Sequence, residues 1–268
     1  MPTVTGQSGA ELNYSDTGGG GTPVVLLHAF PLHSGMWEPQ TESLGDRFRL
    51  VTPDLKGFGK SSAPDDAAGY SMDAYADDVK AVVDDLGSDQ VVLAGLSMGG
   101  YIAFAFLRKH PDVVRALVLA DTRAEADAPE AVEKRTNQQK QVRDEGVDGL
   151  IEALPGALLG EATRSKKQDV VDHVKGLMRN PGAGFIGALE AMKTRSDSTG
   201  DLAKIGVPTL IVVGEQDTLT PPELSRKMHE HIGGSKLVVI PEAGHLSNLE
   251  APEAFNGALA EFLGQAAG

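Results

Sequence analysis

The stretch VVLAGLSMGGYIAFAFLRKH, residues 91–110, is the part of the sequence that indicates the fold most directly. It opens on a short apolar run, passes through the turn GLSMGG at residues 95–100, and continues at once into an apolar helical pattern. A strand, a tight turn and a helix with Ser97 at the tip form the context required of a G-x-S-x-G nucleophile elbow. Gly95 and Gly99 would let strand and helix approach closely while the serine hydroxyl stays raised for attack.

Taken alone, the G-x-S-x-G pattern is weak evidence for a catalytic serine. The chain contains 32 glycines, and short patterns of common residues arise by chance. A Gly-rich strand-to-helix turn with an incidental serine would give the same letters. The functional interpretation therefore requires an acid, a base and an oxyanion hole elsewhere in the chain, in a consistent order.

Composition excludes several classes of protein. A chain of 268 residues suits one large α/β domain, or a core with an insertion. The net charge of −14 argues against binding to nucleic acid, and the lack of cysteine excludes disulfides and a thiol nucleophile. The N-terminus has no signal-peptide pattern, and no apolar run approaches membrane-spanning length. We therefore expect a soluble, cytoplasmic protein without membrane or nucleic-acid partners.

Apolar runs and helical patterns predict a mostly parallel sheet. Residues 3–16 alternate apolar and polar side chains and predict an antiparallel hairpin. The continuous apolar run at residues 24–27 predicts a strand that is buried on both faces. Further strands are predicted at residues 48–52, 91–94, 114–120, 207–214 and 236–240. The β-α-β-α-β order of the first half predicts helices on both faces of this α/β sheet.

Residues 123–199 contain helical spacing but no strand-like run. We expect this segment to be a helical cap over the C-terminal edge of the sheet, where ligands bind in open α/β folds. Residues 1–122 and 200–268 would then form the core. An ordinary set of sheet-packing helices is the alternative. A cap would exclude water and provide an apolar acyl or alcohol pocket.

The candidate pocket residues are apolar side chains of this segment and its surroundings. They are Trp37, Leu154, Leu158, Phe185, Met192 and Leu219. Core packing is the alternative role for Trp37, the only tryptophan of the chain.

Three residues with complementary chemistry follow predicted strands: Ser97, Asp217 and His245. Parallel strands bring the loops at their C-terminal ends to one edge, so the distance between these residues along the chain is no obstacle. His245 would take the proton of Ser97 and later pass it to the leaving group, because imidazole titrates near neutral pH. Asp217 would orient the imidazole and stabilise its cation.

Two of these roles have a rival residue. Asp121 also follows a strand, but Asp217 is preferred because its loop directly precedes the histidine loop. His28 competes with His245 as the base, although it lies on the side expected for the oxyanion hole. The sequence has no H-E-x-x-H pattern or other paired-histidine spacing, and we expect neither a metal nor a cofactor.

The motif HAFP at residues 28–31 directly follows a predicted strand. The backbone N–H of Phe30, together with that of Met98, would form the oxyanion hole, since backbone donors are fixed in advance and resist reorganisation. His28 would then brace the loop. A strand end followed by a proline turn is the alternative.

Five motifs together resemble the α/β-hydrolase superfamily, in particular bacterial capped carboxylesterases close to 3-oxoadipate enol-lactonases and cofactor-free haloperoxidase-type perhydrolases. The motifs are HAFP at 28–31, DLKGFGKS at 54–61, GLSMGGY at 95–101, GEQD at 214–217 and PEAGH at 241–245. Residues 120–123 and 129–131 resemble the start of the esterase cap. The family usually has glycine where Ala29 stands, and alanine would strain the loop if that position required a positive φ.

The resemblance implies an α/β-hydrolase fold with an eight-stranded sheet and a cap. It also implies hydrolysis of small-molecule, short-chain carboxylic esters through an acyl-enzyme, without a cofactor. An enol-lactonase or a perhydrolase using the same three residues is one alternative. A ligand-binding protein of this fold without catalytic activity is another, because fold alone does not establish activity.

Overall fold

The computed structural model describes residues 2–266, and its centre is one eight-stranded sheet in the order β1-β2-β4-β3-β5-β6-β7-β8. The strands are β1 Thr3–Thr5, β2 Glu11–Asp16, β3 Val24–Leu27, β4 Leu50–Pro53, β5 Val91–Leu96, β6 Val114–Ala120, β7 Thr209–Gly214 and β8 Lys236–Ile240. The hairpin β1–β2 is antiparallel and pairs antiparallel with β4, and every later pair is parallel. The predicted eight-stranded, mostly parallel sheet is confirmed.

Helices fill the connections between the strands. The α-helices are α1 Glu38–Leu44, α2 Met72–Asp85, α3 Met98–Lys109, α4 Pro129–Glu145, α5 Asp148–Ala153, α6 Pro155–Leu158, α7 Glu161–Lys166, α8 Gln168–Leu177, α9 Gly182–Lys193, α10 Pro222–His231, α11 Ser247–Glu250 and α12 Pro252–Ala266. Short 3₁₀ helices occur at Ser34–Trp37, Ala67–Gly69, Pro111–Val113 and Thr199–Lys204. No helix within residues 2–266 is long and apolar enough to cross a membrane.

The core strands are apolar throughout because both of their faces are covered. Every residue of β3, β5 and β7 is buried, which is typical of the inner strands of a parallel sheet. Strand β2, next to the edge strand β1, instead alternates more buried with more exposed residues at its start. The C-terminal ends of β5, β7 and β8 therefore reach one edge of the sheet with their loops held by a rigid core.

Six helices, α4 to α9, lie between β6 and β7. The polar helix α4 is anchored on α9, where Gln139 Nε2 donates to the carbonyl oxygen of Ile186 at 2.9 Å. Helix α9 in turn lies against the loop after β4, with Gly184 so close to Gly57 that a Cβ on Gly184 would be 1.9 Å from the Gly57 carbonyl oxygen. The segment is thereby fastened to the sheet through backbone contact.

Helices α1 and α11 were not expected from the sequence, and both are short. Helix α11 has four residues, and its position depends on distant partners, because Asn248 Nδ2 donates to the carbonyl oxygen of Met36 at 2.9 Å. A helix of one turn has little intrinsic stability in water. Such elements are specified by tertiary contacts that no local pattern shows.

Candidate active site

Ser97 sits in a strained turn between β5 and α3, with φ 55° and ψ −112°. The turn needs glycine on both sides. A Cβ on Gly95 would be 2.2 Å from the carbonyl oxygen of Gly99, and one on Gly99 would be 2.3 Å from the carbonyl oxygen of Leu27. A non-glycine residue with positive φ is uncommon and costs free energy, and such strain concentrates at functional sites.

The loops after β5, β7 and β8 bring Ser97, Asp217 and His245 together. His245 Nε2 lies 2.7 Å from Ser97 Oγ, and His245 Nδ1 lies 2.8 Å from Asp217 Oδ2. Asp217 Oδ1 accepts hydrogen bonds of 2.9 Å from the N–H groups of Leu219 and Thr220, and the Thr220 hydroxyl donates to Oδ2 at 2.6 Å. These hydrogen bonds hold the carboxylate rigidly. Because the carboxylate can only accept a hydrogen bond, Nδ1 of His245 carries the proton and donates a hydrogen bond to Asp217.

The electrostatics of this pair favour a charged Asp217 beside a basic imidazole. Burial alone would lower the pKa of His245, but the Asp217 carboxylate raises it, and the net pKa lies above the usual 6.5. Burial raises the pKa of Asp217, but the charge and hydrogen bond of His245 more than offset this, so the net pKa is lowered. With Nδ1–H donated to Asp217, Nε2 is free to accept the proton of Ser97.

Asp121, the rival acid, lies after β6 with its side chain fully buried. Its Oδ1 accepts from the N–H of Gly214 at 2.8 Å, and its Oδ2 accepts from the hydroxyl of Ser247. Burial, together with the nearby Asp217 charge, raises its pKa well above the usual value. Asp121 makes no hydrogen bond to His245, so of the two carboxylates the structure brings only Asp217 to the imidazole.

The loop after β3 places Phe30 on the cavity wall beside Ser97. Within residues 2–266, the structure shows no hydrogen-bond acceptor for the backbone N–H of either Phe30 or Met98. His28 is buried below them, where Nδ1 donates to the Ala29 carbonyl oxygen and Nε2 accepts from the N–H of Leu55, both at 3.0 Å. Burial lowers the pKa of His28 to about 4. Both of its ring nitrogens are occupied, so it braces the loop and has no atom left to act as a base.

Alanine is accommodated at position 29 without the strain considered above. The non-glycine residues with positive φ among those described are Ser97, Asp121 and Glu242, so Ala29 is not in the left-handed region. Its N–H donates to Met36 Sδ at 3.2 Å.

A cavity of about 260 Å³ opens above Ser97 and His245. Four of the six predicted pocket residues line it: Leu154, Leu158, Met192 and Leu219. Trp37 and Phe185 do not. Trp37 is 1% exposed and packs its ring 6.1 Å from that of Phe255, and Phe185 is fully buried behind Phe30, with ring centres 5.5 Å apart. The spacing of apolar residues predicted that these side chains are buried. It did not indicate whether they line the cavity or pack against other core side chains.

One wall of the cavity is basic rather than apolar, which the sequence analysis missed. Arg123, Lys134, Arg135 and Gln138 line it, contributed by the segment after β6 and by α4. The low apolar content of α4 was the available signal, since a polar helix in a predicted cap must present polar side chains to solvent or to the ligand.

A second missed residue is Glu250, whose carboxylate is buried in α11. Its Oε1 accepts from the N–H groups of Gly244 and Leu246, at 2.9 and 3.2 Å, on either side of His245. Its Oε2 accepts from the N–H of Gly160 at 2.8 Å. One carboxylate thus ties the histidine loop to the helical segment, and its charge adds to those that raise the pKa of His245.

Glu250→Gln is expected to weaken the fold and to shift the pH dependence of activity. The amide presents an N–H₂ group to a backbone donor that Glu250 now satisfies, and leaving a buried donor unpaired costs about 1–3 kcal/mol of unfolding free energy. Losing the charge also lowers the pKa of His245, so the acidic limb of the kcat/KM profile should move to lower pH. Urea denaturation and pH-rate profiles measure the two effects. Glu253→Gln, at an exposed position, is the matched control and should change neither.

Comparison with known proteins places this geometry in context. The sequence profile of the alpha/beta hydrolase fold family matches residues 22–252. A solved structure of a thermophilic esterase from Thermogutta terrifontis, with malate bound, is 40% identical, covers 100% of this chain and 99% of its own, and has a TM-score of 0.95. The AB hydrolase superfamily protein YisY of Bacillus subtilis is 34% identical, covering 91% of this chain and 92% of its own. The 3-oxoadipate enol-lactonase 2 of Acinetobacter baylyi is 28% identical, over 96% and 94% of the two chains.

Proposed function

Because the chain belongs to the α/β-hydrolase family, we propose that it is a serine carboxylesterase acting on short-chain carboxylic esters. The observation that carries the proposal is the hydrogen-bonded series from Ser97 Oγ through His245 to Asp217, with distances of 2.7 and 2.8 Å. A nucleophile, a base and an orienting acid within hydrogen-bond reach are the arrangement required for acyl transfer through a serine. The cavity of about 260 Å³ above them suits a small substrate.

In the first half of the reaction, Ser97 Oγ attacks the ester carbonyl carbon while His245 Nε2 takes the hydroxyl proton. The negative charge moves to the carbonyl oxygen, which accepts hydrogen bonds from the backbone N–H groups of Phe30 and Met98. These donors are fixed before the reaction, so they stabilise the developing charge without reorganising. The tetrahedral intermediate then expels the alkoxide, which takes the proton from His245 and leaves as the alcohol.

In the second half, water replaces the alcohol. His245 removes a proton from the water, which attacks the acyl carbon, and the second tetrahedral intermediate returns its electron pair to Ser97 Oγ. Ser97 recovers its proton from His245, and the carboxylic acid is released. Asp217 stays ionised throughout and stabilises the imidazolium that forms twice in the cycle.

Residues 123–199 would act as a cap over this site, with residues 1–122 and 200–268 as the core. Leu154, Leu158 and Met192 from this segment line the cavity over Ser97. The carbonyl oxygen of Leu158 also accepts from the N–H of His245 at 3.0 Å. A cap in contact with the catalytic histidine would limit water in the cavity and strengthen the charge interactions there.

An enol-lactonase activity is the second candidate, favoured by the relatives that carry that name. The higher identity of the Thermogutta esterase favours the simple ester. Rates on a panel of 4-nitrophenyl esters of increasing acyl length, beside an enol-lactone and a peroxide-dependent perhydrolysis assay, rank the three activities. A lactone or perhydrolysis rate well above that for every simple ester would contradict the esterase assignment.

A fluorophosphonate probe separates an enzyme from a non-catalytic binding protein of the same fold. Such probes label serines that are activated as nucleophiles. We expect covalent labelling of the wild type at Ser97, and no labelling of a protein without a working base.

The pH dependence of kcat/KM is expected to follow His245. The imidazole must be neutral to accept the serine proton, so activity rises with pH through the pKa of the free enzyme. Because Asp217 raises that pKa, the rate should reach half of its maximum at a pH above 6.5. Initial rates with 4-nitrophenyl butyrate across the range from about pH 5 to about pH 8 test this, and a flat profile would contradict the assignment.

A further inference from the structure

Three arginines converge on one carboxylate beside the active-site cavity. The side chain of Asp127 is fully buried and forms ion pairs with Arg123 at 2.8 Å, with Arg195 at 2.7 Å and with Arg135. Two of these arginines, Arg123 and Arg135, also line the cavity. One carboxylate cannot neutralise three guanidinium groups, so the cluster retains two positive charges next to the substrate site.

The cluster also has hydrogen-bond donors that the protein leaves unused. Nε of Arg123 is buried without a hydrogen-bond partner, and so is Nε of Arg195. Lys134, one turn into α4 on the same cavity wall, has no ion-pair or hydrogen-bond partner among residues 2–266. Both Nε atoms are buried out of reach of the cavity, so the cation with which an entering ligand can pair directly is Lys134, which is exposed.

No acidic side chain opposes these cations within the cavity. Its lining contains Arg123, Lys134 and Arg135 but neither aspartate nor glutamate. The four acidic residues of α4 are exposed and lie outside the lining: Glu130, Glu133, Asp144 and Glu145. A local excess of positive charge is unusual in a chain whose net charge is −14. The wall therefore concentrates positive charge at the one place where the substrate binds.

We propose that this wall is a carboxylate-binding subsite, and that the preferred esters carry an anionic carboxylate besides the ester group. The inference rests on the proposed function and narrows its substrate class. Guanidinium groups bind carboxylates through paired N–H donors, and partly desolvated ion pairs contribute specificity as well as affinity. In so small a cavity, a short substrate would reach both the serine and the basic wall.

Lys134 is the residue on which to test the subsite, because changing it leaves the Asp127 cluster intact. The probes are two ester pairs that differ by one charge. In the first, 4-nitrophenyl pentanoate is compared with mono-4-nitrophenyl glutarate, which has the same acyl length. In the second, 4-methylphenyl acetate is compared with 4-acetoxybenzoate, which carries its charge on the alcohol side. Comparing the ratio of anionic to neutral kcat/KM between wild type and variant cancels the intrinsic reactivities of the two esters in each pair.

We expect Lys134→Gln to lower that ratio about threefold and Lys134→Glu about tenfold or more in at least one pair, mainly through KM. A change in rate that is common to both esters of a pair does not affect this ratio. Salt at about 0.5 M should reduce the anionic preference of the wild type, because it screens charge. Lys140→Gln is the matched control: Lys140 lies on the same helix but outside the cavity lining. An unchanged ratio in both Lys134 variants for both pairs would overturn the subsite.

Binding provides a readout that does not require turnover. Methyl hydrogen glutarate titrated calorimetrically into Ser97→Ala should bind more tightly than methyl pentanoate, and Lys134→Glu in that background should remove the difference. Equal binding of the two esters by Ser97→Ala would contradict the subsite even if the protein failed to hydrolyse any ester. Failure of hydrolysis alone would contradict only the proposed function.

Discussion

Ser97→Ala is expected to lower kcat/KM for 4-nitrophenyl butyrate by about 10⁴- to 10⁶-fold. In the proposed mechanism, the substitution removes the one atom that forms the acyl-enzyme bond. No other hydroxyl lies at hydrogen-bond distance from Nε2 of His245 in residues 2–266. The residual rate would come from the oxyanion donors and from substrate binding alone. Steady-state rates measured at high enzyme concentration, with the ester still in excess, would resolve it.

The loss of activity should come from the missing nucleophile and not from a change in the fold. Alanine keeps the Cβ of Ser97 and the same backbone demand at φ 55°, so the thermal midpoint should change little. Ser225→Ala is a suitable control, because the Ser225 hydroxyl is buried away from the cavity and has no hydrogen-bond partner. Its activity should match the wild type. Adding His245→Ala to Ser97→Ala should cost almost nothing more, since residues that act as a unit are not additive. Activity of Ser97→Ala within tenfold of the wild type would contradict the mechanism.

The fold could be predicted from the sequence because its inner strands are covered on both faces. Their runs, such as residues 24–27 and residues 116–120 of β6, are apolar without interruption and are bounded by polar or turn residues. Strand β7 begins at Thr209, two residues later than predicted. Pro208 cannot donate to the sheet, which shortens the regular hydrogen-bonded strand.

The candidate site was predictable where its chemistry follows strand order. Ser97, Asp217 and His245 stand next to strand ends, and a parallel sheet brings such positions together. Glu250 has no such signal. Its role depends on the nearby histidine loop and on Gly160, 90 residues away in the chain, and the sequence shows only an acidic residue two places before a proline.

The pocket was only partly predictable, because hydrophobicity reports burial and not direction. Phe185 and Leu158 are equally apolar in pattern, yet only Leu158 faces the cavity. The basic wall was not predicted, for a related reason. In the sequence alone, the charged residues of α4 indicate a helix face that is exposed to solvent. Only the structure shows that Asp127 forms ion pairs with arginines from three segments of the chain. The charge of the pocket is thus a tertiary property.

Asp217→Asn is expected to reduce kcat by about 10⁴-fold. Its Oδ1 accepts two backbone N–H groups, from Leu219 and Thr220, so an asparagine would keep its carbonyl oxygen there and turn its N–H₂ group towards His245. That donor requires Nδ1 of the imidazole to accept. The proton would then lie on Nε2, where it blocks proton transfer from Ser97. The rate at saturating ester measures the loss. The dependence of the rate on pH should also no longer show the titration of an imidazole base.

Asp121→Asn is the matched comparison, and we expect it to keep activity within about tenfold of the wild type. Burial raises the pKa of Asp121 well above its usual value, so the site disfavours the charged carboxylate and should tolerate a neutral amide of the same shape. The amide can accept from Gly214 through its oxygen and donate to the hydroxyl of Ser247 through its nitrogen, which preserves both contacts. If Asp121→Asn proved the more damaging of the two, the acid that serves His245 would be Asp121, and the hydrogen bond to Asp217 would be structural.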